Sequence, residues 1–157
     1  PVEIIGGIEA TLYIKTNVTD TDFSVKLMDC YPDGREVYVA SGILKTRYRK
    51  GFEPHLVENM TIGQIYELSI DMWSTAYHFV PGHRIKVSIT SSNYPKFAAN
   101  PNTGGNVTDC ITELIPYDNL GNLILPTFKN NDYFIANNSI LCGMQGSASH
   151  ITFPINI

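Results

Sequence analysis

The chain is short of charge and of long apolar runs, and each shortage excludes a class of protein. Only 17% of its 157 residues are charged and the formal net charge is −4, so it lacks the long-range attraction to phosphate that non-specific nucleic-acid binding needs. No apolar run reaches the roughly 18–20 residues of a membrane helix, and no signal-peptide pattern opens the chain. We therefore expect a soluble, cytoplasmic domain with no nucleic-acid or membrane partner, while secretion stays open.

Cysteine is equally scarce. Cys30, Cys110 and Cys142 are odd in number and widely spaced, which fits neither a disulfide framework nor a zinc site, so we expect buried free thiols. A starting methionine is also missing, because the chain begins at Pro1. We expect the chain to be a single domain, residues 1–157, cut from a longer polypeptide.

What the chain has in abundance is alternation of apolar and polar residues. In residues 8–16, Ile8, Ala10, Leu12 and Ile14 fall on one side, as in a strand with one buried face. Tyr31-Pro32-Asp33-Gly34 suits a type I turn between two strands. Further strands are predicted at 23–28, 37–40, 65–72 and 84–90, and weaker ones at 111–115, 123–125, 138–142 and 150–155. No segment shows helical periodicity, so the sequence predicts an all-β sandwich or barrel.

The chain carries no recognisable catalytic machinery. A serine hydrolase of the α/β type presents its nucleophile on a Gly-x-Ser-x-Gly turn, and Ser147 after Gly146, the nearest approach, lacks the second glycine. The histidines are not spaced as zinc ligands usually are. They are His55, His78, His83 and His150. We therefore predict no catalytic residue, no cofactor and no metal in this chain.

Polar residues around the turn at Gly82 are candidates for structural or interdomain contacts. His83 is either a general base or a hydrogen-bonded turn residue, and we prefer the turn role because no nucleophile accompanies it. Arg84 follows at the start of a predicted strand. We predict that it pairs with Asp22, since the planar guanidinium suits a partly buried carboxylate.

Basic residues recur at every second position at Lys45, Arg47 and Arg49. On a strand the three side chains would project from one face. The default interpretation is a solvated basic face. The functional alternative is a docking surface, in which Arg47 and Arg49 meet carboxylates of another domain.

The single tryptophan, Trp73, lies close in sequence to Tyr77 and Phe79. Jelly rolls serve as lectins, and an aromatic platform for sugar is therefore one interpretation of this segment. The other is packing in a sandwich core, where aromatic side chains account for much of the apolar burial. We prefer core packing.

Several segments, in order and spacing, resemble the C-terminal domain of the X-Pro dipeptidyl-peptidase and cocaine esterase hydrolase family. They include Asp20-Thr21-Asp22-Phe23, Pro81-Gly82-His83-Arg84 and Ser91-Ser92-Asn93-Tyr94-Pro95. The full set covers residues 7–13, 20–27, 31–34, 42–49, 81–87, 91–95 and 100–104. The likeness departs at residues 107–141 and resumes weakly at 147–154.

The resemblance implies a jelly-roll β-sandwich of the galactose-binding-domain-like type. It also implies that the chain follows an α/β-hydrolase domain of the same polypeptide, which holds the Ser, His and Asp of a serine hydrolase. The chain would then be a non-catalytic accessory domain that stabilises that domain, walls its active site and offers homo-oligomer contacts. The alternative from another class is a free-standing carbohydrate-binding module, and a complete small esterase using Ser147 is a third option.

Overall fold

The computed structural model describes residues 1–105, 118–122, 133–143, 146 and 148–156. Across these ranges the chain forms eight β-strands and one 3-10 helix, with no α-helix. No helix found there is long and apolar enough to cross a membrane. The strands are β1 (Val2–Thr16), β2 (Asp22–Cys30), β3 (Glu36–Lys45), β4 (Ile65–Phe79), β5 (Arg84–Thr90), β6 (Asn138–Ile140), β7 (His150–Thr152) and β8 (Ile155–Asn156), and the 3-10 helix is Thr46–Tyr48.

The strands form two antiparallel sheets. In the first, β1 pairs with β4 along its length, while β6, β7 and β8 pair in succession along the other edge of β1. In the second, β2 lies between β3 and β5. The turn at Tyr31-Pro32-Asp33-Gly34 joins β2 to β3, and the Gly34 N–H donates to the Tyr31 carbonyl at 3.0 Å. The predicted all-β sandwich is confirmed.

The core lies between the two sheets and follows the alternation of the sequence. Ile8, Ala10, Leu12 and Ile14 of β1 are at most 1% exposed, as the period-two pattern predicts. Each fully buried aliphatic side chain of this kind stabilises the fold by about 1.5–3 kcal/mol. The other core residues come from β4 of the same sheet, from β2 and β3 of the facing sheet and from the loop before β4, and are Phe23, Val25, Leu27, Ala40, Met60, Leu68, Ile70, Met72 and Phe79.

Strand boundaries differ from the predictions, most clearly in β4 and at the end of the chain. β4 continues seven residues beyond the predicted end at Met72. It does so through a bulge, where Ile8 of β1 stands opposite both Met72 and Trp73. The predicted strand 150–155 is split into β7 and β8 around Pro154, which has no N–H to donate to the ladder.

Other predictions on the weaker segments have mixed outcomes. The predicted strand 138–142 ends as a strand at Ile140. The strands predicted at 111–115 and 123–125 lie outside the described residues, as does Cys110. Cys30 is a buried free thiol as predicted, but the prediction for Cys142 is wrong, because Cys142 is exposed.

Candidate functional site

A buried polar cluster lies where β2 begins and β3 ends. Asp20 and Asp22 flank the start of β2 and are 0% and 5% exposed. Lys45 closes β3, and Thr46 and Arg47 follow in the 3-10 helix. The sixth member, Asn100, comes from the loop of residues 91–105 after β5 and is 8% exposed. Carboxylates so deeply buried need cationic and hydrogen-bonding partners.

Asp20 is fully partnered. Its Oδ1 accepts from the Thr46 hydroxyl and from the Arg47 backbone N–H, each at 3.0 Å. Its Oδ2 accepts from Arg47 Nε at 2.9 Å and Nη2 at 2.7 Å, and from Asn100 Nδ2 at 3.2 Å. The Thr21 N–H donates to Thr46 Oγ1 at 3.0 Å, which joins the backbone to the same network. Asp20 therefore acts as a hub that joins β2, the 3-10 helix and the loop.

Asp22 is held less tightly. Its Oδ1 accepts from Asn100 Nδ2 at 2.7 Å, and Lys45 Nζ lies 3.5 Å away. Burial raises the pKa of the Asp22 carboxyl, and the attraction of Lys45 opposes that rise only in part. The prediction that Arg84 pairs with Asp22 is wrong. Arg84 stands opposite Cys30, at the far end of β2 from Asp22, because β5 runs antiparallel to β2.

The cluster fixes the loop of residues 91–105 to the sandwich. Asn100 donates to both carboxylates, and Arg47 Nη2 donates to the Gly105 carbonyl at 2.7 Å. Between them the Asn102 N–H donates to Asn100 Oδ1 at 2.9 Å. A loop tied to the core at two points can present its other residues in a defined position. The cluster is thus an anchor for a surface loop.

The strand predicted to carry Lys45, Arg47 and Arg49 on one face is wrong, because β3 ends at Lys45 and the chain turns into the 3-10 helix. The solvated basic face is wrong too, since the side chains of Arg47 and Arg49 are 12% and 4% exposed. Arg49 donates to the carbonyls of Thr46 and Glu58, pairs with the Glu58 carboxylate, and stacks over the Tyr66 ring. Both arginines make structural contacts within the chain.

His83 lies at the opposite end of β2 and also has a structural role. The backbone N–H of His83 donates to the Val80 carbonyl at 3.2 Å within the turn, and the ring Nδ1 lies 2.9 Å from Asp29 Oδ2. Tyr77 donates its hydroxyl to the same carboxylate oxygen at 3.0 Å. Burial and the Asp29 carboxylate raise the pKa of Tyr77 to about 12. The preferred interpretation of His83, a hydrogen-bonded turn residue, agrees with these contacts.

The prediction that Trp73 packs in the core is wrong. Its side chain is 74% exposed, whereas Phe79 is buried and Tyr77 packs at the edge of the core. The bulge in β4 explains the difference: Trp73 adopts a φ of +67°, which turns its side chain out of the alternation. The Asp71 carboxylate accepts the Trp73 N–H at 2.7 Å and stabilises this conformation.

Trp73 stands at a groove of about 780 Å³ that we call the Trp73 groove. It is lined by β3 around Gly42 and by β4 around Ile70, which we call its floor, and by Phe52. Lys96 and Phe97 of the loop 91–105 also line it. The anchored loop therefore connects the buried polar cluster with the groove.

The structure brings together two of the five residues proposed from the sequence, Asp22 and Arg47, and places Arg49 beside them. The hub Asp20 and the tether Asn100 were missed. Asp20 could have been found from the Asp-x-Asp spacing at the start of a strand, whereas nothing local points to Asn100, 80 residues away. His55, His78 and His150 are exposed. In the described ranges no group of three or more His, Cys, Asp or Glu could hold a metal, and Ser147 lies outside them.

Comparisons with known proteins agree with this architecture. Residues 1–113 match the family described as the X-Pro dipeptidyl-peptidase C-terminal non-catalytic domain. Cocaine esterase of Rhodococcus sp. (strain MB1 Bresler) is 47% identical over 106 residues, which make up 67% of this chain and 18% of that protein. The chain thus spans less than a fifth of this curated relative.

Solved structures extend the likeness to almost the whole chain. An alpha-amino acid ester hydrolase superposes with a TM-score of 0.77 at 25% identity, over 99% of this chain and 24% of that one. An aminopeptidase from a marine-sediment Thaumarchaeota archaeon gives a TM-score of 0.76 at 23% identity, over 99% of this chain and 24% of that one, which shows the fold alone. In each case the matching part is a minor portion of a much longer polypeptide.

Proposed function

The chain belongs to the X-Pro dipeptidyl-peptidase C-terminal non-catalytic domain family, and from that premise we propose that it packs on an α/β-hydrolase domain of the same polypeptide and walls its active site. The description of the family names a dipeptidyl-peptidase, and the relatives bear the names of an esterase and an ester hydrolase. We propose that the parent hydrolyses an ester or amide bond, with the Ser, His and Asp supplied by the other domain.

The anchored loop is the observation that carries this proposal. A wall of an active site has to hold its shape while substrate binds and water is excluded, because small displacements reduce catalysis strongly. Asn100 donates to both buried carboxylates, and Arg47, paired with Asp20, donates to the Gly105 carbonyl, so the loop 91–105 is tied to the cluster by hydrogen bonds of 2.7 and 3.2 Å. These residues act by positioning and have no part in the chemistry itself.

The test is to replace Asn100 in the full-length polypeptide. We expect Asn100→Ala to leave the hydrolase domain folded and to lower kcat/KM by about ten-fold or more, since the loop loses its tether to both carboxylates. Both KM and kcat should change, and the pH dependence of the activity should stay the same. Gln64→Ala, at an exposed amide of a different loop, is the matched control. Unchanged kcat/KM in folded Asn100→Ala would contradict the walling role.

The second candidate, a free-standing carbohydrate-binding module, is favoured by the exposed indole of Trp73 beside the exposed ring of Phe52. Flat aromatic side chains at the surface can stack on sugar rings. A glycan-binding screen of this chain separates the two functions. Reproducible sugar affinity that is lost in Trp73→Ala would replace our first proposal with this one.

A further inference from the structure

The Trp73 groove exposes aromatic side chains of a kind that folded domains usually bury. The side chains of Tyr38, Phe52 and Trp73 are 56%, 78% and 74% exposed, and all three line the same groove. Large exposed aromatic side chains that share one concave surface are typical of an interface, because such residues supply the central contacts of protein–protein association. Isolated exposed apolar residues would need no such explanation.

Trp73 is also held outward at a cost. A φ of +67° is rarely adopted by a residue with a large side chain and is energetically unfavourable. Asp71 fixes this backbone through its carboxylate, and the Asp71 carbonyl packs tightly against Gly42. Strain that the surroundings maintain around an exposed side chain points to a function for that side chain.

The length of two relatives indicates what covers the groove. The matching part accounts for 18% and 24% of those proteins, so about three quarters or more of each polypeptide lies outside it and is available to cover a surface of this size. The groove is lined by Arg49, Lys50, Lys96 and Asp71, but Arg49 and Lys50 both pair with the Glu58 carboxylate, so the groove carries little net charge. A complementary surface is therefore apolar or aromatic at its centre.

We propose that the Trp73 groove is the face of this domain that docks on the α/β-hydrolase domain of the same polypeptide, with an apolar segment seated against Trp73 and Phe52. The inference rests on the proposed function, because it names the surface through which the two domains meet. It also gives the anchored loop a second role, since Lys96 and Phe97 belong to both the loop and the groove. The loop 91–105 would then contribute both to the wall of the active site and to the interface between the two domains.

Hydroxyl-radical footprinting of the full-length polypeptide tests this directly. Oxidation of Trp73 and Phe52 is measured by mass spectrometry in the folded protein and in the same protein unfolded in urea. We expect oxidation of both residues to fall by about ten-fold or more on folding, as for the desolvated centre of an interface. Phe134, 61% exposed and outside the groove, is the control. Trp73 oxidising as fast in the folded as in the unfolded polypeptide would overturn the proposal.

Other occupants give different results in the same experiment. Protection that disappears when the polypeptide is diluted to a monomer would mean that a second copy covers the groove, and protection only after sugar is added would mean a carbohydrate; either overturns the proposal. As a second measurement, Phe52→Ala should split the cooperative unfolding of the full-length protein into two transitions, whereas Phe134→Ala should not. A single unchanged transition in Phe52→Ala counts against docking.

The two proposals fail in distinguishable ways. A full-length polypeptide that hydrolyses esters or amides but leaves Trp73 open to oxidation overturns the docking face and leaves the proposed function in place. A polypeptide without any hydrolase activity, and without a Gly-x-Ser-x-Gly turn upstream, overturns the proposed function whatever the footprint of Trp73.

Discussion

One loop joins the buried polar cluster and the Trp73 groove. Both depart from the usual arrangement, in which polar residues lie at the surface and aromatic residues lie in the core. In the cluster, Asp20, Asp22 and Asn100 are buried although they are polar or charged. In the groove, Phe52 and Trp73 are exposed although they are aromatic. The cluster finds its partners within the chain, whereas the described residues leave the aromatic side chains of the groove open.

This difference separates what the domain needs for its own stability from what it offers to a partner. A charged group buried without its counterion is expensive, so changes in the cluster should be felt by the chain alone. An exposed aromatic side chain contributes little to the stability of the chain that carries it. Removing an exposed aromatic ring from the groove, with the backbone strain unchanged, should therefore alter the stability of this chain little and be felt mainly in the full-length polypeptide.

The largest effect is expected from Asp20→Asn. The substitution removes the charge that Arg47 faces at 2.7 Å and leaves a buried guanidinium without its counterion, which should lower the free energy of unfolding by about 3–5 kcal/mol. Urea denaturation followed by circular dichroism measures it. Glu36→Gln, which removes one charge from the exposed pair with Lys86, should leave the midpoint nearly unchanged. Equal shifts of the denaturation midpoint in both variants would mean that the buried cluster matters no more to stability than an exposed ion pair.

The floor of the groove should respond to added bulk. In Gly42→Ala the new Cβ would lie 2.3 Å from the Asp71 carbonyl oxygen and 2.8 Å from Ile70 Cγ2, so β3 and β4 must separate there. We expect a loss of about 1–3 kcal/mol in the free energy of unfolding, as for overpacked cores. Gly7→Ala, whose Cβ would meet nothing nearer than Ser74 Oγ at 3.8 Å, should be neutral. A neutral Gly42→Ala would show that the floor is deformable.

At Trp73, in the same groove, we expect a substitution to raise the free energy of unfolding. Trp73→Gly removes an exposed side chain and relieves the positive φ, so we expect the isolated chain to be stabilised by about 1 kcal/mol. Trp73→Ala removes the same indole but keeps the strain, and should gain nothing. The two thermal midpoints compare the variants directly. Substantial destabilisation by both would mean that Trp73 supports the fold after all.

The smallest effect at neutral pH is expected from Asp22→Asn. Because burial raises the pKa of Asp22, its protonated form is favoured by folding, and that contribution is fully present below the unfolded pKa of about 4. It is lost as the pH rises through the raised folded pKa. Asp22→Asn keeps the neutral state at every pH and should be stabilising by no more than about 1 kcal/mol at pH 7.

Unfolding measured between pH 4 and pH 8 checks the sign of this pH dependence. The difference between Asp22→Asn and the parent chain should grow in favour of the variant as the pH rises. Asp33→Asn, in the exposed turn, is the control. A variant that becomes relatively less stable with rising pH would mean that Lys45 outweighs the cost of burying the Asp22 charge.

Much of the fold follows from local patterns in the sequence, because the period of two and the turn chemistry are local properties. Ile8, Ala10, Leu12 and Ile14 are buried on one face, as the alternation predicts. The same rule is less reliable at the sheet edge, where Ile85 and Val87 of the cleanly alternating β5 remain 39% and 40% exposed. Alternation identifies a strand, but the neighbouring layer decides how deeply its apolar face is buried.

The site was less predictable because its contacts are long-range. Asp22 was proposed to pair with Arg84, and the antiparallel register of β5 on β2 carried Arg84 to the other end. Trp73 was assigned to the core from its aromatic neighbours, and a one-residue bulge opposite Ile8 turned it outward. The tether from Asn100 to Asp20 spans 80 residues. Register, bulges and such tethers depend on the assembled sheets.

The free edge of β1 gives the end of the chain a protective role. β6, β7 and β8 cover that edge piece by piece, opposite residues 14–16, 9–11 and 3–4. A chain trimmed at residue 113, where the family match ends, would lose all three and leave the N–H and C=O groups of β1 open along most of its length. We expect such a fragment to recruit strands from its neighbours and precipitate, because an open, flat strand invites aggregation.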